Sequence, residues 1–129
     1  MTERIVIKTE NAPHAVGTYS QGISTGEIIF TAGQIPLDPS TGEVVEGDFK
    51  ARARRVLQNI NGILEASGSS ISNSVKLTVF LTDLSRFAEL NEVFLEFFSE
   101  NPPARSALEV SKLPLGVDVE IECIAIKGS

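Results

Sequence analysis

The stretch "NPPARSALEVSKLPLGVDVEIECIAI", Asn101 to Ile126, gathers the side chains best suited to chemistry. Arg105 follows two prolines. Pro103 fixes its own backbone and restricts Pro102, so the strand beginning at Ala104 starts from a stiff approach. Alternation puts Arg105 on one face with Ala107 and Glu109, and the small Ala107 leaves space beside the guanidinium. A planar fork held this way suits bidentate binding of a carboxylate. An ordinary ion pair with Glu109 or Glu120 explains the same residues, and composition leaves both readings open.

Along the last strand, Val119, Ile121, Cys123 and Ala125 share one face. Asp118, Glu120 and Glu122 share the other with Ile124 and Ile126, with neighbours roughly 6.5 Å apart. Consecutive acids on one face fit a solvent-exposed strand. The company of Ile124 and Ile126 points instead to a face wet at one end and buried at the other, with Glu122 nearer the buried end. A glutamate at such a boundary has its pKa raised towards a range useful for proton transfer.

Scarcity narrows the chemistry. One Cys and one His exclude a disulfide framework, a CxxC redox pair and a His/Cys zinc cluster. Cys123, among Ile121, Ile124 and Ala125, reads as a small buried hydrophobe. His14, in the loop "NAPHAVG", has no fixed spacing to a serine and an acid, which argues against a catalytic triad. The chain carries no Walker loop, GxGxxG or HExxH. What remains is Arg, Glu, Tyr, Asn, backbone amides and water, with no metal and no cofactor.

A net charge of −6 argues against a surface built to neutralise phosphates, so nucleic acid is not an expected partner. The basic run "KARARR", Lys50 to Arg55, reads as the solvated face of a helix. No apolar run approaches the ~20 residues needed to span a bilayer. The N-terminal "MTERIVIKTENAPHA" has neither signal-peptide nor transit-peptide character, and reads as the first strand of a cytoplasmic protein. A trimmed organellar, mitochondrial form stays open.

These residues need elements to position them, and 129 residues at 42% hydrophobic fit one soluble domain. Short β-like runs come first: "RIVIK", "TYSQGIS" and "EIIFTAG". A Pro/Gly-rich loop leads to Asp48, a good N-cap. Phe49, Ala53, Val56, Leu57, Ile60, Ile63 and Leu64 then recur at helical spacing, and Gly68 is placed to end that helix. Gly62 costs about 1 kcal/mol against alanine inside the helix, which points to close packing there. "SVKLTVFL" reads as a buried strand. A second helix, capped by Asp83 or Ser85, carries Phe87, Leu90, Phe94, Phe97 and Phe98 on one face, with Asn91 at its border. "ARSALEV" and "VDVEIECIAI" close the chain. The order β-β-β-α-β-α-β-β favours an α+β fold, two helices on one sheet face, and a further subunit on the other.

The segments "ENAPHAVGTYSQG", "FTAGQIPLDPSTGEVV", "VLQNINGILEASG", "VKLTVFLTDLSRFAELNEVF" and "PPARSALEVSKLPLGVDVEIECIAI" resemble, in order, the motifs of the Rid family. This family is also called YjgF, RidA or L-PSP endoribonuclease, and the chain is most similar to its RidA subgroup. The resemblance implies a chorismate-mutase-like fold with a six-stranded mixed sheet, assembled as a homotrimer with clefts between subunits. It implies hydrolysis of 2-imino acids (2-iminobutanoate and 2-iminopropanoate) to 2-oxo acids and ammonia. In that analogy Arg105 grips the substrate carboxylate and Glu120 activates water, both as catalytic residues. Tyr19 and Asn91 match the family's pocket tyrosine and helix asparagine, and Ala32, Gly33 and Ala107 match the remaining substrate contacts. Thr18, Ala32 and Ala107 depart from the family's usual proline, serine and cysteine, which bears on substrate preference more than on reaction class.

Two alternatives of other classes stand beside the deaminase: a ribonuclease or translation inhibitor, and a non-catalytic ligand-binding trimer. On the deaminase reading, full activity is expected after exhaustive chelation, measured as 2-oxo acid release. Loss restored by a divalent ion would contradict it.

Overall fold

"SVKLTVFL" and "VEIECIAI" are the two longest β-branched, alternating runs, and they become the two longest strands and pair with each other. The computed structural model describes residues 3–128. In chain order the elements are β1 (Ile5–Ile7), β2 (Gly22–Ser24), β3 (Ile28–Thr31), α1 (Phe49–Ala66), β4 (Ser74–Leu81), α2 (Phe87–Phe97), β5 (Ala104–Glu109) and β6 (Val119–Ile126). The sheet order is β1-β2-β3-β6-β4-β5. All pairs are antiparallel except β4 with β5. This is the α+β class expected from the element order, with the six-stranded mixed sheet that the family resemblance implies.

Alternation decides which face is covered. Leu77, Val79 and Leu81 of β4 and Val119, Ile121, Cys123 and Ala125 of β6 are buried with Val56, Leu57, Ile60, Ile63 and Leu64 of α1 and Leu90, Val93 and Phe94 of α2. On the opposite face Ile28, Phe30, Leu108 and Ile126 stay 40% to 50% exposed. A row of large apolar side chains left this open is the kind of surface a second molecule covers.

Helix α1 follows its sequence signals closely. The Asp48 side chain accepts from the Ala51 amide at 2.9 Å. At the other end the Gly68 amide donates to the Glu65 carbonyl and Ser69 to Leu64, with Gly68 at φ +81°, a glycine-terminated Schellman cap. The basic run on this helix is largely neutralised: Lys50 pairs with Glu92, Arg52 with Asp118 and Arg54 with Glu96.

Several expectations need correction. β2 begins at Gly22, so Tyr19 lies in a loop and not in a strand. Asp83 caps a separate 3-10 turn, Leu84–Arg86, and α2 starts after Arg86 without a side-chain cap. Asp118 does not share the face of Glu120. It precedes β6 and turns to α1, where Arg52 donates to both its oxygens at 2.9 and 2.7 Å. The burial gradient along β6 is also reversed within one chain: Glu120 is half-buried, whereas Glu122 and Ile126 are exposed. The loop carrying Gly33 covers the first end of the strand on this face, whereas Ile126 at the last end stays 50% exposed.

Gly62 bears out its packing role. An added Cβ would overlap the Asn11 carbonyl and lie 2.9 Å from the carbonyl carbon. Gly62→Ala is therefore expected to destabilise by about 1–3 kcal/mol despite alanine's better helix propensity, read as a lower denaturant midpoint at unchanged m.

Candidate active site

Arg105 stands in register with Leu77 of β4, which pairs in turn with Cys123 of β6. Side chains in register across a sheet point to one face, so Arg105 lies on the helix side at the sheet edge. There its guanidinium carbon sits 5.0 Å from the Phe87 ring centroid and 4.8 Å from that of Phe94. Among the described residues it forms no ion pair, and neither acid suggested by the sequence reaches it. Glu109 instead accepts from the Leu84 amide at 3.0 Å. Partial burial, with no carboxylate to offset it, lowers the Arg105 pKa from its ordinary value. Asn91, Phe94, Leu95, Phe98, Pro102 and Pro103 complete a cleft of about 470 Å³ around it. Ala107 follows on the same face, in register with Val79.

Glu120 stands in register with Phe80, on the open face. Its carboxylate lies so close to Gly33 that any β-carbon there would overlap it. Gln34 fixes that approach through two backbone bonds with Ile121: the Gln34 amide donates at 2.8 Å and the Ile121 amide returns one at 3.1 Å. Burial first, and the negative charge of Glu122 second, raise the Glu120 pKa. Ala32, Gly33 and Tyr19 line the same cleft, of about 580 Å³. The Tyr19 hydroxyl accepts from the Val16 amide at 3.1 Å, and among the described residues its own proton has no acceptor.

One chain thus brings the candidates together as two groups. Arg105 and Asn91 share one cleft, while Tyr19, Ala32, Gly33 and Glu120 share another on the opposite side of the sheet. Cys123 is buried, its thiol pushed up to about 11 chiefly by burial, as suits an inert packing residue.

Four residues escape a reading of the sequence alone. Phe87 and Phe94 look like core residues, yet both also flank Arg105. Gln21, 3% exposed, donates to the carbonyls of Thr9, Ala12 and Pro13 and accepts from the Thr9 amide, holding the loop that leads to Tyr19. Leu115 lines the Glu120 cleft from the turn before β6. The positions of Phe87 and Phe94, seven residues apart on one helical face, are the one signal that was visible.

Residues 9–127 match the family described as Endoribonuclease L-PSP. The chain belongs to this family. It is 56% identical to a RutC family protein of Pyrococcus horikoshii, over 95% of this chain and 97% of that one. It is 48% identical to the 2-iminobutanoate/2-iminopropanoate deaminase of Salmonella typhimurium, over 94% and 96% of the two chains. Among solved structures, Escherichia coli TdcF with bound serine superposes at a TM-score of 0.91 with 43% identity, covering 96% of this chain and 99% of that one. RidA from an Antarctic Psychrobacter superposes equally well at 51% identity, covering 95% and 99%. The family fold expected from the resemblance is therefore present.

The Glu120 environment makes a prediction independent of function. Its carboxyl is expected to titrate above the usual glutamate range in carbon-detected NMR, and the midpoint should fall in Glu122→Gln. A raised folded pKa means the protonated form is favoured in the native state, so this group's contribution to stability is lost as pH rises through that midpoint. Glu120→Gln should remove that part of the pH dependence.

Proposed function

We propose that this chain hydrolyses reactive 2-imino acids to 2-oxo acids and ammonia in clefts completed by two copies of the chain within a homotrimer. The observation that carries this is Arg105: partly buried, flanked by two phenyl rings, and without an acid of its own. A fork kept in this state suits a small carboxylate. The deaminase activity of the Salmonella relative and the serine bound by TdcF, an amino acid with a carboxylate of its own, support that substrate class.

The sheet separates Arg105 from Glu120 in one chain, so a cleft using both draws them from different copies. The exposed apolar row of Ile28, Phe30, Leu108 and Ile126 supports such an assembly. In the shared cleft, Arg105 and Asn91 of one copy hold the carboxylate end of the imino acid. Glu120 of the next, its pKa raised by burial, is a stronger base than an exposed carboxylate. It takes a proton from water as the water oxygen bonds to C2 of the protonated imine. That proton then passes to the nitrogen; as the C2–N bond breaks and ammonia leaves, Glu120 takes the remaining hydroxyl proton and the C2 oxygen becomes the new carbonyl. Water supplies the oxygen, and no electron transfer is needed. Tyr19, whose hydroxyl proton has no acceptor among the described residues, and the Gly33 backbone border the oxygen's position. The family's endoribonuclease name finds less support, because Lys50, Arg52 and Arg54 are already paired with carboxylates.

Three measurements on 2-oxobutanoate release, with a threonine dehydratase supplying the imine, test the reading together. Glu120→Gln should lose roughly 10²- to 10⁴-fold in rate while folding normally. Arg105→Lys keeps the charge but loses the fork, and should lower kcat/KM by about one to two orders of magnitude, since a charge-assisted hydrogen bond contributes about 1.5–3 kcal/mol. Unfolding and refolding an equal mixture of Glu120→Gln and Arg105→Ala chains should restore activity at about a quarter of the sites by random pairing. Near-normal turnover in Arg105→Lys, or no recovery in the mixture, would sink the shared-cleft mechanism.

A further inference from the structure

The turn that feeds β6 contains a residue of the wrong type for its backbone. Leu115 has φ +57° and ψ 18°, and Gly116 follows at φ +70°. The Val117 amide donates to the Pro114 carbonyl at 3.3 Å, closing a turn whose two central residues are both left-handed. That is the type I′ geometry, in which Asn, Asp or Gly normally takes the first central position. A γ-branched residue there carries backbone strain, and such strain is retained where the side chain has work to do. Leu115 is not held there by packing, for it is 73% exposed. Its side chain instead lines the cleft that holds Glu120, together with Val16, Ile35 and Leu37.

We propose that Leu115 is a specificity-determining residue that reads the apolar side chain of the 2-imino acid. This rests on the deaminase reading given above. If Glu120 delivers water to C2 and Arg105 of another copy holds C1, the substituent at C2 is what remains to meet the wall beside Glu120. That wall is apolar, and Leu115 is its exposed, strained member. Burying one methylene is worth about fourfold in kcat/KM. The extra carbons of an isobutyl group over a methyl group, covered on one side by Leu115, therefore give roughly tenfold discrimination.

The test compares the imines of leucine and alanine, generated by an amino-acid oxidase, in the intact chain and in Leu115→Asn, Leu115→Gly and Leu115→Met. Asn and Gly suit the turn, so the melting temperature should hold or rise. The ratio of kcat/KM for the isobutyl over the methyl imine should fall roughly tenfold in both and largely return in Leu115→Met. A residue serving only the fold would show the reverse: lower melting temperature and an unchanged ratio. Either an unchanged ratio or an equal loss on both imines with dissociation in light scattering, which would make Leu115 a subunit contact, overturns the proposal. If the intact chain hydrolyses no imine, the deaminase reading fails separately. Calorimetric binding of 4-methyl-2-oxopentanoate against pyruvate then decides Leu115, and absence of a Leu115-dependent preference for the longer acid overturns it.

Discussion

The register between β4 and β6 is the constraint on which the candidate site depends. β4 pairs with β6 on one side and with β5 on the other, so it carries the register of the last strand across to the strand of Arg105. Cys123, Leu77 and Arg105 form one row, and Glu120, Phe80 and Leu108 another, on opposite faces. A slip of one residue would exchange the faces and take both charged groups out of their clefts. The register is secured at several points: the buried run of Leu77, Val79, Leu81, Val119, Ile121 and Cys123, the reciprocal backbone bonds of Gln34 with Ile121, and the two-pronged Arg52–Asp118 pair at the head of β6.

The charges fall into two groups with different physics. Arg52, Arg54 and Arg86 each reach a carboxylate, and their pKa values rise with a side-chain hydrogen bond as the main cause. Arg105 moves the other way through burial alone. Contacts with Phe87 and Phe94 contribute on the order of 0.5–1 kcal/mol each and offset part of that burial without supplying an acceptor. Glu120 is its counterpart on the other face: burial and Glu122 both disfavour its charge, and Gly33 is the only residue type that lets the backbone approach it so closely. Neither charge neutralises the other, because the sheet stands between them.

Much of this was legible in the sequence where the signal is local and periodic. The bounds of β4, the buried face of β6, the Asp48 cap, the Gly68 terminus and the tight packing at Gly62 all follow from short-range rules. Most of the failures share a cause in tertiary contact. Asp118 alternates with Glu120 in sequence, yet an arginine on α1 turns it away before the strand begins. The relation of Arg105 to Glu120 depends on which strand lies between theirs, and alternation within each strand says nothing of that. Gln21 carries no periodic signal, since its four hydrogen bonds are to a loop that only the fold brings near. Leu115 was unreadable for another reason: "LPLGVD" shows a glycine turn, but not that the residue before the glycine is left-handed too.

The open face ties assembly to acid–base chemistry through one physical quantity, the water around Glu120. Ile28, Phe30, Leu108 and Ile126 surround the row on which Glu120 and Glu122 stand, and their exposed area is what the proposed subunit contacts would bury. Covering that area removes water from the neighbourhood of both carboxylates. Desolvation disfavours the ionised form, and bringing Glu122 into the same drier medium strengthens its repulsion of Glu120. Both effects raise the Glu120 pKa further, in the direction that makes its carboxylate a stronger base. On the proposed mechanism, a substrate carboxylate held by Arg105 of another copy would add a negative charge to the cleft, while the protonated imine would add a positive one beside the site of attack. The imine nitrogen would favour the Glu120 carboxylate, and its loss as ammonia would remove that support. Glu120 would then keep the proton it takes, so the cleft would hold the same net charge with the 2-oxo acid as with the protonated imine.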